Sequence, residues 1–357
     1  LGFRLWFRAR AAQRAREQRA PMPQTAIMRT TYVAPLTDET AREAQRKATA
    51  PAPTEHVPRT KGDMLLVGLD LGTNTSCVKA AWAHTADLVV NEIVPTAVGY
   101  AREGIVDNLL PGNAKVLFGH AALKNRLYLR MVAPLANGVI NDRAATHDFI
   151  RHIRQILNAP TGTDLRAVVG MPAGADRAAR DQLVEALAGF FNKAILVPEP
   201  FLAALGFRDE SRLADPAYID PVRNSIFVDI GAGTTDVCLV QGYFPTGDDQ
   251  TSVAFAGDMV DSLVHSAIKS AYPDVDISIP KVREIKEQYS YVGKVDAPIQ
   301  VSVLVGGKSR KLDLTAIVGD ACQQLLVRVF DCVKAVIAEA SSDSVGDVLQ
   351  NIILTGG

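Results

Sequence analysis

Residues 225–240 read SIFVDIGAGTTDVCLV. An apolar run meets an acidic residue, turns through a glycine-centred segment edged by threonines, and returns as a second apolar run. That order is the pattern of a buried β-hairpin. The same order occurs at residues 64–83, MLLVGLDLGTNTSCVKAAWA. Placing Asp70 over Asp229 aligns Leu71 with Ile230, Gly72 with Gly231, Thr75 with Thr234, Ser76 with Thr235 and Val78 with Val237. The chain therefore carries an internal repeat, and an α/β fold of two similar halves is expected.

A glycine turn between buried strands lets backbone N–H groups approach phosphate oxygens, and hydroxyl or amide side chains add donors. Gly72, Thr73, Asn74 and Thr75 in the first turn and Gly231, Ala232, Gly233, Thr234 and Thr235 in the second are the candidate phosphate contacts. Asp70 and Asp229 repel phosphate but suit a Mg²⁺ ion, or its bound waters, on the phosphate side. Between the hairpins, RAVVGMPAGADRAARDQLVEALAGFFNKAILVPEPFLAALGF predicts a strand at Arg166–Gly170 and a helix from about Asp176 to Phe191. A further strand ends at Pro198. Ala179, Leu183, Leu187 and Phe190 share one helical face. Glu199 follows, held between Pro198 and Pro200, ahead of an apolar helix starting near Phe201. An acid there is either a helix-start residue or a positioned catalytic carboxylate. The two prolines and the place between the repeats favour the second reading.

Composition narrows the classes. With 357 residues, 48% apolar and 22% charged, the chain can bury a large core in two domains or one bilobed domain. No apolar run approaches the ~20 residues of a membrane span. Cys77, Cys238, Cys322 and Cys332 form no CxxC pair and read as free thiols of a reducing cytosol. His147 and His152 lack metal-site spacing and read as helix-surface residues. Charge is uneven: residues 1–63 hold twelve Lys/Arg against six Asp/Glu, +6, within a total of −1. This Arg-rich, proline-dotted leader has no signal-peptide h-region. It reads as a disordered tail or upstream translation ahead of order beginning at Met64, with a basic arm for lipid or nucleic acid as the other option.

Taken in order, the two Asp-Gly hairpins, EPFLAALG (199–206), IKEQYSYVG (285–293) and ILTGG (353–357) resemble the actin and heat-shock chaperone ATPase superfamily over Met64–Gly357. Within it the chain is most similar to the bacterial actins. The tracts YLRMVAPLANGVI (128–140), DIGAGTTDVCLVQGYFPTGDDQ (229–250) and AGDMVDSL (256–263) resemble the magnetosome-aligning branch first and the cell-shape branch next. The resemblance implies two RNase H-like halves, each a mixed sheet flanked by helices, with nucleotide in the cleft. The halves are expected at 64–201, with an outer part at about 91–133, and at 202–357, with an outer part at about 261–339. In the latter, APIQVSVLVGGKSRKLDL predicts a hairpin around Gly306-Gly307.

The resemblance further implies an ATPase using ATP and Mg²⁺, with Asp229 near the metal and the attacking water and Glu199 orienting that water. Lys286 and Glu287 would touch adenine and ribose, although such a pair is also ordinary solvated surface. Gly257 would approach the nucleotide backbone-first, and Gly356 and Gly357 would open a loop over the adenosine. Family members continue on the order of 50 residues past those glycines, so an incomplete gene is expected. The implied partner is the chain itself, in a cytoplasmic, cytoskeletal filament, with magnetosome or other organelle-associated proteins beside it and no specific nucleic acid. A chaperone would need a separate peptide-binding domain, and a sugar or acetate kinase a second-substrate base. Neither is visible in the sequence, and a non-hydrolysing adaptor is the remaining alternative.

Overall fold

The computed structural model describes residues 63–356. The basic leader and Gly357 lie outside the described residues. Two compact units are present, one of residues 63–259 with 327–356, the other Val260–Leu326.

In the first unit β1 (Met64–Leu71), β2 (Thr75–Trp82) and β3 (Leu88–Pro95) form successive antiparallel pairs. A smaller sheet follows, from β4 (Val98–Ala101), β5 (Val116–Phe118) and β6 (Leu129–Val132), with helix α1 (Gly119–Lys124) between its strands. Next come a short hairpin, β7 (Leu135–Ala136) and β8 (Val139–Ile140), and helix α2 (Arg143–Ile156). Then β9 (Asp164–Met171), α3 (Arg177–Leu187), β10 (Lys193–Pro198) and α4 (Glu199–Phe207) complete the first half. The second half adds β11 (Ser225–Ile230), β12 (Thr235–Val240), β13 (Gln250–Val253) and the start of α5 (Gly257–Ala271).

The second unit holds α6 (Ile279–Tyr289) and the hairpin β14 (Gln300–Val305) and β15 (Lys308–Asp313). Helix α7 (Thr315–Ala338) contributes residues to both units, and α8 (Val345–Gln350) and β16 (Ile352–Gly356) close the first.

The sequence repeat is a repeat of topology. The two principal sheets run β10-β9-β1-β2-β3 and β13-β12-β11-β16. In each, the Asp-Gly hairpin lies centrally, flanked by an antiparallel strand (β3, β13) and a parallel one (β9, β16). Every residue of β12 is buried, and β2 is buried throughout after Thr75. Strands covered on both faces read as continuous apolar runs rather than alternations. Phe149, Ile150 and Ile153 of α2 and Leu183 and Leu187 of α3 cover the first sheet. Phe201, Leu202 and Ala204 of α4 pack on Phe227, Cys238 and Val240 of the second.

Capping sets the helix starts. The side chain of Asp142 accepts from Ala145 N at 2.8 Å and that of Asp176 from Ala179 N at 2.7 Å, each satisfying a donor left open by helix geometry. Two predicted boundaries move. Helix α3 stops at Leu187, short of Phe191, because Gly189 takes φ +81° and turns the chain out of the helix. Helix α4 starts at Glu199 rather than near Phe201, since Pro200 lacks only an N–H that the first turn does not use. In the second unit the predicted hairpin is present, with Gly306 at φ +54° and Gly307 at φ +78°, the left-handed pair a two-residue type I′ turn demands.

None of the four cysteines is in a disulfide, and three of them are buried. His147 is exposed as expected. His152 is instead half-buried and stacks on Phe118, centroids 4.6 Å apart and 9° from parallel. Burial lowers its pKa below the ordinary 6.5, outweighing a hydrogen bond that the ring donates to Gln155 and the charge of Glu92. The unfolded chain therefore takes up this proton first as pH falls. Stability contributed here is full above about 6.5 and declines as pH drops from there through the lowered folded value. His152→Phe should flatten this component in urea titrations run between pH 5 and 7.5, taken as a rough window around the ordinary histidine value.

Candidate functional site

The two glycine turns lie in the same unit and are braced from outside. Thr96, just past β3, donates its hydroxyl to Gly72 O at 2.7 Å, and its N–H to Asn74 O at 2.8 Å. Gly72 tolerates no side chain, because a Cβ there would run into the Thr75 carbonyl oxygen. In the second turn Gly231 N donates to Thr234 O at 2.9 Å. The first residues of α5 sew themselves to it: Gly257 N reaches Gly231 O at 3.1 Å and Asp258 N reaches Ala232 O at 2.8 Å. Gly257 thus serves the second turn directly.

The turns also meet each other. A Cβ added at Gly233 would sit 2.7 Å from Asn137 Cα and 2.7 Å from Thr73 Oγ1. Asn137 (φ +50°) and Gly138 (φ +71°) form the left-handed β7–β8 turn. Gly138 N donates to Thr73 Oγ1 at 3.0 Å. That bond uses Thr73 as acceptor and leaves its hydroxyl proton available for a ligand oxygen. Thr235 differs, since its hydroxyl donates to Phe255 O at 2.8 Å. Its single proton is committed to bracing the hairpin, so the side chain is not the phosphate donor that the sequence reading expected.

The carboxylates take defined places. Strand β9 pairs with β1 so that Gly170 lies opposite Asp70, and with β10 so that Val197 lies opposite Gly170. Glu199 is half-buried and arches back over this row, since a Cβ at Gly170 would be 2.9 Å from Glu199 Cγ. Glycine at 170 is what admits the side chain. Asp229 is half-buried, opposite Thr355 on β16, and accepts the Thr355 hydroxyl at 2.9 Å. Gly356, with φ +103°, lies against the Ile230 backbone, where a Cβ would collide with the Ile230 carbonyl. Gly357 lies outside the described residues.

Lys286 and Glu287 belong to α6 of the second unit and part company. Glu287 is exposed. Lys286 holds its ammonium 2.9 Å from Asp261 Oδ1, while Arg283 Nε meets Asp261 Oδ2 at 2.8 Å. Asp261 is 1% exposed, so Lys286 is the half-buried partner of a buried carboxylate rather than solvated surface.

Asp236 was missed in the sequence. It stands across β11–β12 from Asp229 and is 1% exposed. Burial pushes its carboxyl up to about 6; Thr234, Ser252 and Ala173 N hydrogen bonds pull it down, and nearby Asp229 adds to the rise. A signal existed: an acid inside the apolar run TTDVCLV is rarely buried without partners.

Asp70 and Asp229, one at the head of each turn, are carboxylates of the kind that a hard cation would accept. Among the described residues no cluster of three or more His, Cys, Asp or Glu is placed to cage a metal. Mg²⁺ commonly takes one or two carboxylates and keeps waters and phosphate oxygens for the rest, which matches Asp70 and Asp229.

Two sheets that share a four-strand order, each centred on an Asp-Gly hairpin and flanked by helices, define an actin-like protein. Residues 65–357 match the MreB/Mbl protein family, and the chain belongs to it. It is similar to the actin-like protein MamK of Paramagnetospirillum magneticum, 28% identical over 298 residues, covering 82% of this chain and 80% of that one. The cell shape-determining protein MreB of Escherichia coli K12 is 23% identical over 304 residues, covering 82% of each chain. Among solved structures, the MamK double helical filament superposes with a TM-score of 0.74 at 27% identity, over 82% of this chain and 86% of that one. MreB5 of Spiroplasma citri bound to ADP, with a TM-score of 0.65 at 22% identity over 82% and 85% of the chains, shares the fold.

Gly233→Ala should force the Asn137 turn off Thr73. The expected cost is about 1–3 kcal/mol of overpacking, read as a lower midpoint in chemical denaturation.

Proposed function

We propose that this chain is a filament-forming ATPase of a bacterial cytoskeleton. The observation that carries the reading is the meeting of both glycine turns, through Gly233, Thr73 and Asn137, in one compact unit that also holds Asp70, Asp229 and Glu199. Backbone N–H groups of Gly72–Thr75 and Ala232–Thr234, with the Thr73 hydroxyl, would hold the terminal phosphates. Asp70 and Asp229 would hold Mg²⁺, mostly through water, and the bound ion would neutralise charge on the phosphates. Glu199 is the group suited to orient the attacking water and accept its proton, since in-line phosphoryl transfer requires such a residue. Gly356, beside the second turn, is proposed on the nucleoside side.

Adenine is favoured over guanine because a non-polymerising MamK mutant, 27% identical with a TM-score of 0.58, is described bound to AMPPNP. Self-association is supported by the likeness to the MamK filament. Alignment of organelles is preferred to cell-shape control because identity to MamK exceeds that to MreB. A cytoplasmic place accords with the described residues, where no helix is long and apolar enough to cross a membrane.

Light scattering with negative-stain microscopy should show filaments when ATP and Mg²⁺ are added; persistent monomer would overturn the reading. Glu199→Ala should still assemble with ATP but release phosphate slower by a factor of ~10². An unchanged rate would remove Glu199 from the mechanism.

A further inference from the structure

Four backbone segments of the first unit close on one another around the two turns. The first turn meets the β7–β8 turn through the Gly138 N to Thr73 Oγ1 bond. That turn lies flush on the loop after β9, where a Cβ on Gly138 would collide with the Pro172 ring. The same loop is tied to the second half at two points. Ala173 N donates to Asp236 Oδ1 at 2.7 Å, and a Cβ on Gly174 would come within 2.6 Å of Ser252 Cβ. The second turn returns to the start, with Gly233 against Asn137 and Thr73. Ser252 is the cross-strand neighbour of Asp236. Of these links, the Asp236 link is made by a buried carboxylate, which accepts from Ala173, Thr234 and Ser252 together.

We propose that Asp236 is a positioning residue whose carboxylate closes this ring and thereby sets the separation of the two phosphate turns. The inference rests on the nucleotide reading above and deepens it. The terminal phosphate of a triphosphate is the group both turns must grip at once, whereas a diphosphate makes a smaller demand on their spacing. Asp236 therefore tunes the preference for triphosphate over diphosphate without touching either. Leaving the buried Ala173 N–H without its acceptor corresponds to a change of roughly tenfold to a hundredfold.

The full chain carries the test, with Mg²⁺-AMPPNP and Mg²⁺-ADP as probes in equilibrium binding and amide hydrogen exchange at Ala173 in nucleotide-free protein. Asp236→Ala should weaken AMPPNP by roughly tenfold or more relative to ADP and should speed exchange at Ala173. Asp236→Asn keeps an oxygen acceptor for the Ala173 N–H and should restore both. Gly174→Ala, at an exposed loop position, wedges the loop from Ser252 and should reproduce the Ala phenotype even if Asp236→Ala does not fold.

The proposal is overturned if Asp236→Asn is as defective as Asp236→Ala, which would assign the effect to charge. It is equally overturned if Ala173 exchange or the affinity ratio stays at the wild-type value in both Asp236→Ala and Gly174→Ala. Wild-type protein that binds neither probe would sink the nucleotide reading, while exchange at Ala173 would still judge whether Asp236 closes the ring.

Discussion

Close backbone approach at Gly233 is the constraint on which the candidate site depends. The second turn can lie against Asn137 and Thr73 only because residue 233 has no side chain. Gly72, Gly138, Gly170 and Gly356 each permit a similar approach, to the Thr75 carbonyl, Pro172, Glu199 and the Ile230 backbone. Missing side chains allow polar backbone to converge, and convergence lets a small anion be gripped from several sides. The surrounding sheets supply rigidity, since the returning strands of the two hairpins, β2 and β12, are buried on both faces.

Buried carboxylates do the complementary work of fixing position. Taking a carboxyl out of water is costly unless donors replace the lost hydration. Asp236 receives three, and the remaining deficit shows in a pKa raised to about 6. In the second unit Asp261 is equally buried but is matched by two cations, Arg283 and Lys286, one helical turn apart on α6. Breaking such a pair is far more damaging than its net contribution to stability suggests, because the remaining charge stays buried. Its value lies in specifying one arrangement of α5 against α6.

Much of this was legible in the residues. The paired hairpins, the strand leading into Glu199 and the Gly306-Gly307 turn each rest on local chemistry: apolar runs of strand length, a proline at a helix start, glycines where φ must be positive. Helix ends were less legible. The stop at Leu187 came from one left-handed glycine, Gly189, in a sequence whose apolar periodicity continues to Phe190. The Asn137-Gly138 turn carried a strong hairpin dipeptide. Its local sequence said nothing of its neighbours: Thr73 lies 65 residues from Gly138, and Gly233 lies 96 from Asn137.

By itself the sequence determined that the chain holds two copies of one β-hairpin, that each turns on glycine beside an aspartate, and that a proline-framed glutamate stands between them. Those properties follow from short-range sterics and from hydrophobic pattern, which a linear string records. Only the tertiary structure decided what the polar groups do. It committed the Thr235 hydroxyl to Phe255, left the Thr73 proton available, drew Lys286 into an ion pair with Asp261 and gave Asp236 a partner in the loop after β9. A hydroxyl, ammonium or carboxylate takes its role from whichever donor or acceptor lies within about 3 Å. That distance is set by the packing of segments far apart in the chain.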